Sequence, residues 1–190
     1  MLRDKIVAYM VEANIIKENE RKVYCFGLQL IEEMVFSFCI FLIIGILFGN
    51  VLETIVFFGA FAVLRQYAGG FHAKNFISCL AISCCIITTL NLLLTFFTDF
   101  TWVIILCAVV GLPAIFVLSP VDSVYKYINK DEVKKYRRRS AIILLIELGI
   151  MLLLVLTSKY SMAFCISYAW FVLSALLILG KYKNKAGTRE

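Results

Sequence analysis

The chain has 190 residues, of which 62% are hydrophobic and 17% are charged, and its mean hydropathy is +0.91. Soluble domains contain about 45–50% apolar and about 25% charged residues, so this composition excludes a soluble globular domain and predicts an integral membrane protein. The net charge of +6 raises the question of a nucleic-acid partner, which the placement of the basic residues answers below.

Residues 1–33 mix charged and apolar side chains. Ile6, Tyr9, Ala13 and Ile16 recur at three- and four-residue steps, which predicts an amphipathic helix that lies in the headgroup plane. Two roles fit such a helix: it caps the bundle at the membrane surface, or it docks a partner.

Six apolar runs follow this segment. They are Met34–Gly49, Val51–Leu64, Phe76–Phe97, Trp102–Leu118, Ala141–Thr157 and Ser161–Gly180. The sequence therefore predicts an all-α polytopic membrane protein with about six transmembrane helices, a membrane domain at 34–180 and a basic tail at 181–190. The first two runs are shorter than the roughly 17–25 residues of a crossing helix, and the second carries Glu53. Four crossings with two re-entrant helices are the alternative.

The basic residues lie almost entirely in alternate connections. With six crossings, 18 of the 19 Lys and Arg residues fall on one side of the membrane, and only Lys159 falls on the other. The positive-inside rule makes the rich side cytosolic, so both termini and the connections at 65–75 and 119–140 are predicted to face the cytosol. The positive charge is thus explained by topology, and no nucleic-acid partner is predicted.

The seven cysteines show no CxxC pair, and the chain has a single histidine, His72. This pattern predicts neither a disulfide framework nor a metal site, and no cofactor is expected. Most of the cysteines are expected to be small packing residues.

The polar connection around His72 is the exception in so apolar a chain. His72 lies seven residues before Cys79, and a straight helix would separate the two by about 10.5 Å, too far for a working base and nucleophile. Asn75, however, is a good helix N-cap, and Gly69 and Gly70 let the preceding turn fold back over the helix end.

Cys79 would then lie in the first turn of the helix. A helix N-terminus favours an anionic sulfur, and Arg65 and Lys74 add positive potential. No acidic residue is near enough in the sequence to be assigned as the orienter of His72. The candidates are Gln66, Asn75, Glu53 and a backbone carbonyl.

Residues 65–79 read R-x-x-A-x-G-x-H-A-x-x-x-x-x-C, which resembles the signature of the AgrB family, the accessory gene regulator B membrane peptidases. The resemblance extends over nearly the whole chain. It implies a cysteine endopeptidase that processes the AgrD-type precursor of a cyclic autoinducing peptide in Gram-positive quorum sensing. By position, His72 and Cys79 match the family's catalytic pair, and Arg65 and Gly70 match its flanking positions.

A basic cluster precedes the fifth apolar run and consists of Lys134, Lys135, Arg137, Arg138 and Arg139. It is first a topology determinant and a contact for anionic membrane lipids. Because the family's precursors tend to carry an acidic C-terminal part, capture of that part is the second interpretation.

A homodimer is compatible with so small a bundle. The rival function is a non-catalytic small transporter or scaffold subunit, for which intramembrane carboxylates are scarce.

Overall fold

The computed structural model describes residues 2–13, 15–69, 76–97, 99–120 and 130–187. Within these ranges the regular structure is a series of seven α-helices with one short 3-10 helix, Glu18–Glu20, before the second of them. The α-helices are α1 Leu2–Glu12, α2 Arg21–Phe48, α3 Val51–Ala68, α4 Phe76–Phe96, α5 Thr101–Leu118, α6 Lys130–Leu156 and α7 Tyr160–Gly187.

Helices α2 to α7 are each long and apolar enough to cross a membrane, which confirms the predicted all-α polytopic class. The two short runs lie in uninterrupted helices, each with an 18-residue apolar span: Ile31–Phe48 within α2, and Val51–Ala68, which is the whole of α3. At 1.5 Å per residue each is about 27 Å long, close to the roughly 30 Å thickness of the hydrocarbon core. Both helices are therefore long enough to cross, and helix length no longer favours the alternative with two re-entrant helices.

Several helices extend beyond the apolar runs that predicted them. α3 continues to Ala68 and α6 begins at Lys130, so residues expected in the 65–75 and 119–140 connections are partly helical. An apolar run marks only the part of a helix that faces lipid, and Lys and Arg are good helix formers that continue it into the headgroup region. α6 is about 40 Å long, which places its basic first turns beyond the hydrocarbon core.

The first 40 residues form one compact unit. The helix predicted over 1–33 is interrupted in the structure, because α1 ends at Glu12 and α2 begins at Arg21. The 3-10 turn between them is closed by the Lys17 backbone N–H, which donates to the Glu20 carboxylate at 3.1 Å. The boundary placed at residue 33 thus lies inside α2.

Residues 41–190 form the second compact unit, and α7 is its central helix. The Tyr160–Tyr182 span of α7 is 72% buried, whereas the other five spans are 11–22% buried. α7 packs chiefly against α5 and α3, and then against α6. This helix therefore holds the described part of the membrane domain together.

Trp170 joins three helices near the middle of α7. A Cβ atom added at Gly111 of α5 would lie 2.8 Å from the Trp170 Cβ, so the two helices approach closely only because residue 111 is glycine. On its other side, the Trp170 indole N–H donates to the Glu147 carboxylate of α6 at 2.7 Å. Glu147 is only 7% exposed, and this bond gives its buried polar group a partner.

Contacts at the helix ends define two ends of the α3–α7 bundle. At the end we call the opposite end, Thr54 meets Asn91, Phe100 stacks on Phe164 at 5.0 Å, and the Ser161 hydroxyl donates to Glu53 at 3.2 Å. At the other end, the motif end, the last turns of α3 and α5 lie against the start of α6. The helices thus alternate in direction, as a membrane bundle with short connections requires.

The connection between α4 and α5 is closed by a local polar contact. The Asp99 carboxylate accepts a hydrogen bond from the Thr101 backbone N–H at 2.9 Å. Together with a bond from the Thr101 side chain, this contact lowers the pKa of Asp99, because both bonds favour the charged carboxylate.

The close approach of α5 and α7 predicts that a glycine-to-alanine substitution lowers stability at Gly111 but not at Gly149. Gly111→Ala should destabilise the protein by about 1–3 kcal/mol, because the new methyl group collides with the Trp170 backbone and Cβ. Gly149→Ala, where nothing lies within 4 Å of an added Cβ, should leave the melting temperature unchanged or raise it. Thermal unfolding in detergent, followed by tryptophan fluorescence, measures both. Equal melting temperatures for the two variants would contradict the close approach.

Candidate functional site

The structure describes part of the predicted reactive site. Arg65 and Gly69 lie at the end of α3, and Cys79 lies near the start of α4. Gly70, His72, Lys74 and Asn75 lie outside the described residues. The pairing of His72 with Cys79, and the Asn75 cap, therefore stay predictions.

The end of α3 is fixed by the residue type at Gly69. Its φ angle of +76° is in the left-handed half of conformational space, which suits glycine, and its N–H donates to the Arg65 carbonyl at 3.0 Å. One turn earlier, the Arg65 guanidinium lies over the Phe61 ring, 5.3 Å from its centroid. The arginine side chain is thus partly ordered by its own helix.

Cys79 occupies the first described turn of α4, Phe76–Phe96, and its side chain is half-buried. All seven cysteines lie in described residues, and each is a free thiol. Among the described residues, no three His, Cys, Asp or Glu side chains are grouped so that they could hold a metal ion. The chemistry available at Cys79 is therefore that of a thiol near a helix start.

One hydrogen bond between α3 and α4 indicates the height of Cys79 in the bundle. Near the opposite end the Asn91 side-chain amide donates to the Thr54 hydroxyl at 3.3 Å. From Thr54 to Arg65 the rise is about 16.5 Å, and from Asn91 back to Cys79 it is about 18 Å. Because the two helices are antiparallel, Arg65 and Cys79 lie at nearly the same height in the bundle.

Arg65 and Cys79 also interact electrostatically. A guanidinium beside a thiol attracts the negative charge of a thiolate, and it can likewise attract the oxyanion that forms when a thiolate adds to a carbonyl. From the sequence, Arg65 was expected to match a motif position and to add positive potential near Cys79. The structure places its guanidinium within range of an electrostatic interaction with Cys79.

Glu53 is removed from the candidates for the orienter of His72. It lies in the first turn of α3, about 24 Å along the helix from Gly69, and its carboxylate accepts a hydrogen bond from Ser161. Three extended residues beyond Gly69 reach only about 10 Å. Gln66, Asn75 and a backbone carbonyl remain as candidates.

The basic cluster lies on the first turns of α6, and its five side chains are exposed. One of them is engaged, since the Arg139 guanidinium lies 5.7 Å from the centroid of the Tyr67 ring. Tyr67 belongs to the last turn of α3, and its ring also lies 6.2 Å from that of Tyr136. Sequence analysis did not single out Tyr67, although an aromatic residue at the membrane interface between two motif positions was the available signal.

Comparisons with known proteins identify similar chains. The family model "AgrB: Accessory gene regulator B" matches residues 3–177. Two AgrB-like proteins of Clostridium perfringens are 29% and 28% identical over 146 residues, which cover 73% of this chain and 68% of each relative. An AgrB-like protein of Halalkalibacterium halodurans is 25% identical over 152 residues, 80% of this chain and 76% of the relative. No solved structure matches the chain.

The electrostatic interaction between Arg65 and Cys79 predicts selective thiol reactivity. In variants that keep a single cysteine, Cys79 should react with N-ethylmaleimide roughly tenfold faster than Cys84 or Cys85, although Cys85 is the more exposed side chain. Arg65→Gln should slow the reaction at Cys79 and leave Cys85 unaffected, whereas Arg65→Lys, which keeps the charge, should retain most of the rate. Equal rates at all three thiols would show that the site around Cys79 does not activate it.

Proposed function

The chain belongs to the accessory gene regulator B family, and from this we propose that it is a membrane cysteine endopeptidase that cleaves an AgrD-type propeptide. Family membership implies a role in the agr quorum-sensing system as a processing protein associated with the AgrD propeptide. The six apolar helices fit a multi-pass membrane protein, and the relatives come from Gram-positive bacteria. The protease type and the His72–Cys79 pair are the proposal.

The observation that carries this proposal is the placement of Arg65 and Cys79 at nearly the same height on antiparallel helices, within range of an electrostatic interaction. These two residues flank the connection that contains His72, and they sit at one height on antiparallel helices. A thiol with a cation beside it at the end of a bundle suits nucleophilic attack better than it suits a packing role. Cys165 of α7, by contrast, is fully buried in the bundle.

The first chemical step is acyl transfer to the enzyme. His72 takes the proton of the Cys79 thiol, the sulfur attacks a backbone carbonyl of the precursor, and a tetrahedral oxyanion forms. Arg65 and backbone N–H groups near the start of α4 stabilise that oxyanion. The carbon–nitrogen bond then breaks, His72 gives its proton to the departing amine, and a thioester joins the retained peptide to Cys79.

The second step releases a cyclic product. A thiol of the retained peptide attacks the thioester carbonyl, Cys79 leaves as a thiolate, and the proton of the attacking thiol passes through His72 to Cys79. The product is a thiolactone, and a serine in place of the thiol gives a lactone. Exchange between thioesters is nearly isoenergetic, so cyclisation depends on keeping water from the acyl-enzyme, which a site at the membrane surface favours.

The motif end is the cytosolic end in this proposal. The positive-inside rule places the basic residues of α6 there, with both termini on the same side. The exposed cluster Lys134, Lys135, Arg137, Arg138 and Arg139 then faces the site where the precursor arrives. We propose that it captures the acidic C-terminal part of the precursor and also contacts anionic lipids.

Removal of the nucleophile or the base should abolish cleavage. Cys79→Ala and His72→Ala should each leave membrane insertion intact and lower cleavage of the co-expressed precursor peptide to background, because neither variant can form the thioester. Mass spectrometry of the peptides from the co-expressing cells measures cleavage and ring closure together. Cys84→Ala is the matched control and should cleave normally. Full cleavage by Cys79→Ala would exclude the proposed nucleophile.

Neutralising the basic cluster should weaken precursor binding in a salt-dependent way. With Lys134, Lys135, Arg137 and Arg138 changed to Gln, we expect KM to rise about tenfold at low salt and to lose most of its dependence on ionic strength. Assays in uncharged detergent remove the contribution of anionic lipids. If the unmodified protein shows no salt dependence under these conditions, the cluster serves topology and lipids alone.

A further inference from the structure

In the last turn of α3, an aromatic ring lies against α6. The Tyr67 ring lies 6.2 Å from the Tyr136 ring, and the Arg139 guanidinium lies over it at 5.7 Å. Tyr136 and Arg139 are three residues apart on α6, so they project from one face of that helix. We call these three residues the α3–α6 anchor.

The next residue along α6 fixes the helix on its other side. The Ser119 hydroxyl at the end of α5 donates to the Ser140 hydroxyl at 3.0 Å. These serines are 5% and 2% exposed, so the bond is shielded from competing water. The Ser119–Ser140 bond thus holds the start of the membrane-spanning part of α6 to α5. The anchor in turn holds the last turn of α3 to α6.

The spacing of Tyr67 and Arg65 gives the anchor a consequence for the site. Two residues along an α-helix correspond to about 200° around its axis, so the two side chains leave α3 on opposite sides. Tyr67 meets α6, and Arg65 interacts with Cys79 of α4. The contact of Tyr67 with α6 therefore sets the position of the last turn of α3, and with it the distance from the Arg65 guanidinium to Cys79.

The last turn of a helix is its least stable part, because its final carbonyls have no partner within the helix. At Gly69 the chain leaves α3 with a positive φ angle. Leu64 and Ala68 are buried and hold one side of this turn, and Arg65 lies over the Phe61 ring, but the side that carries Tyr67 keeps the freedom of a helix end. Ring contacts to a second helix reduce this freedom.

We propose that Tyr67 is a positioning residue: by holding the last turn of α3 to Tyr136 and Arg139, it keeps Arg65 at the Cys79 thiol. This inference rests on the proposed endopeptidase function for its kinetic consequence. It also separates Arg139 from the rest of the basic cluster, because Arg139 acts within the anchor while its neighbours capture the acidic segment of the precursor.

The first test uses the thiol alone and needs no precursor. In a protein that keeps only Cys79, Tyr67→Ala should slow the reaction with N-ethylmaleimide about three- to tenfold, and Tyr67→Phe, which keeps the ring, should stay within twofold of the unmodified rate. Tyr182→Ala removes an exposed tyrosine from α7 and serves as the control. An unchanged rate in Tyr67→Ala would overturn the proposal, whether or not the protein is a peptidase.

The second test compares two neighbouring arginines in the cleavage assay. Arg139→Gln should lower kcat about two- to fivefold with KM unchanged, whereas Arg138→Gln should raise KM and leave kcat unchanged. Both side chains are exposed, so Arg139→Gln and Arg138→Gln should fold and still test the anchor if Tyr67→Ala fails to fold. A rise of KM in both, with kcat unchanged, would place Arg139 in precursor capture and overturn the anchor. Absence of cleavage by the unmodified protein would instead contradict the proposed function, and the thiol test would still decide the anchor.

Discussion

The arrangement of this protein depends on the close packing around Trp170. A membrane interior offers little hydrophobic drive for helices to associate, so packing and interhelical hydrogen bonds must supply it. Gly111 lets α5 reach the backbone of α7, and the Trp170 indole holds the Glu147 carboxylate of α6. One side chain thereby fixes the mutual positions of three helices. The other helices of this unit pack around α5, α6 and α7.

That centre determines where reactive groups can meet. α3 packs on α7 and carries Arg65 at one end and Glu53 at the other. The two charged groups are about 18 Å apart along the helix, and each meets a different partner, Cys79 or Ser161. On α3, the charged side chains thus lie at the two ends of the helix, where a charge costs less than in the middle of the membrane.

Much of this architecture could be predicted from the sequence, because it depends on local signals. Apolar runs revealed six helices, and the reactive site at Gly70 and His72 of the polar connection stays a prediction. The length of α6 was missed, since its basic residues look like a connection when only hydropathy is considered. Positive potential from Arg65 near Cys79 was predicted, but the relative height of the two residues was hidden. It depends on the register of α3 against α4, which the distant pair Thr54 and Asn91 sets.

The Thr54 hydroxyl has a mechanical consequence for the whole bundle. It accepts the Asn91 amide of α4, and a Cβ at Gly45 of α2 would lie 2.8 Å from it, so three helices converge on this one atom. The spacing of α2, α3 and α4 at this end therefore depends on the size of two small residues. A side chain larger than hydrogen at residue 45, or bulkier than threonine at residue 54, would push these helices apart where they now touch.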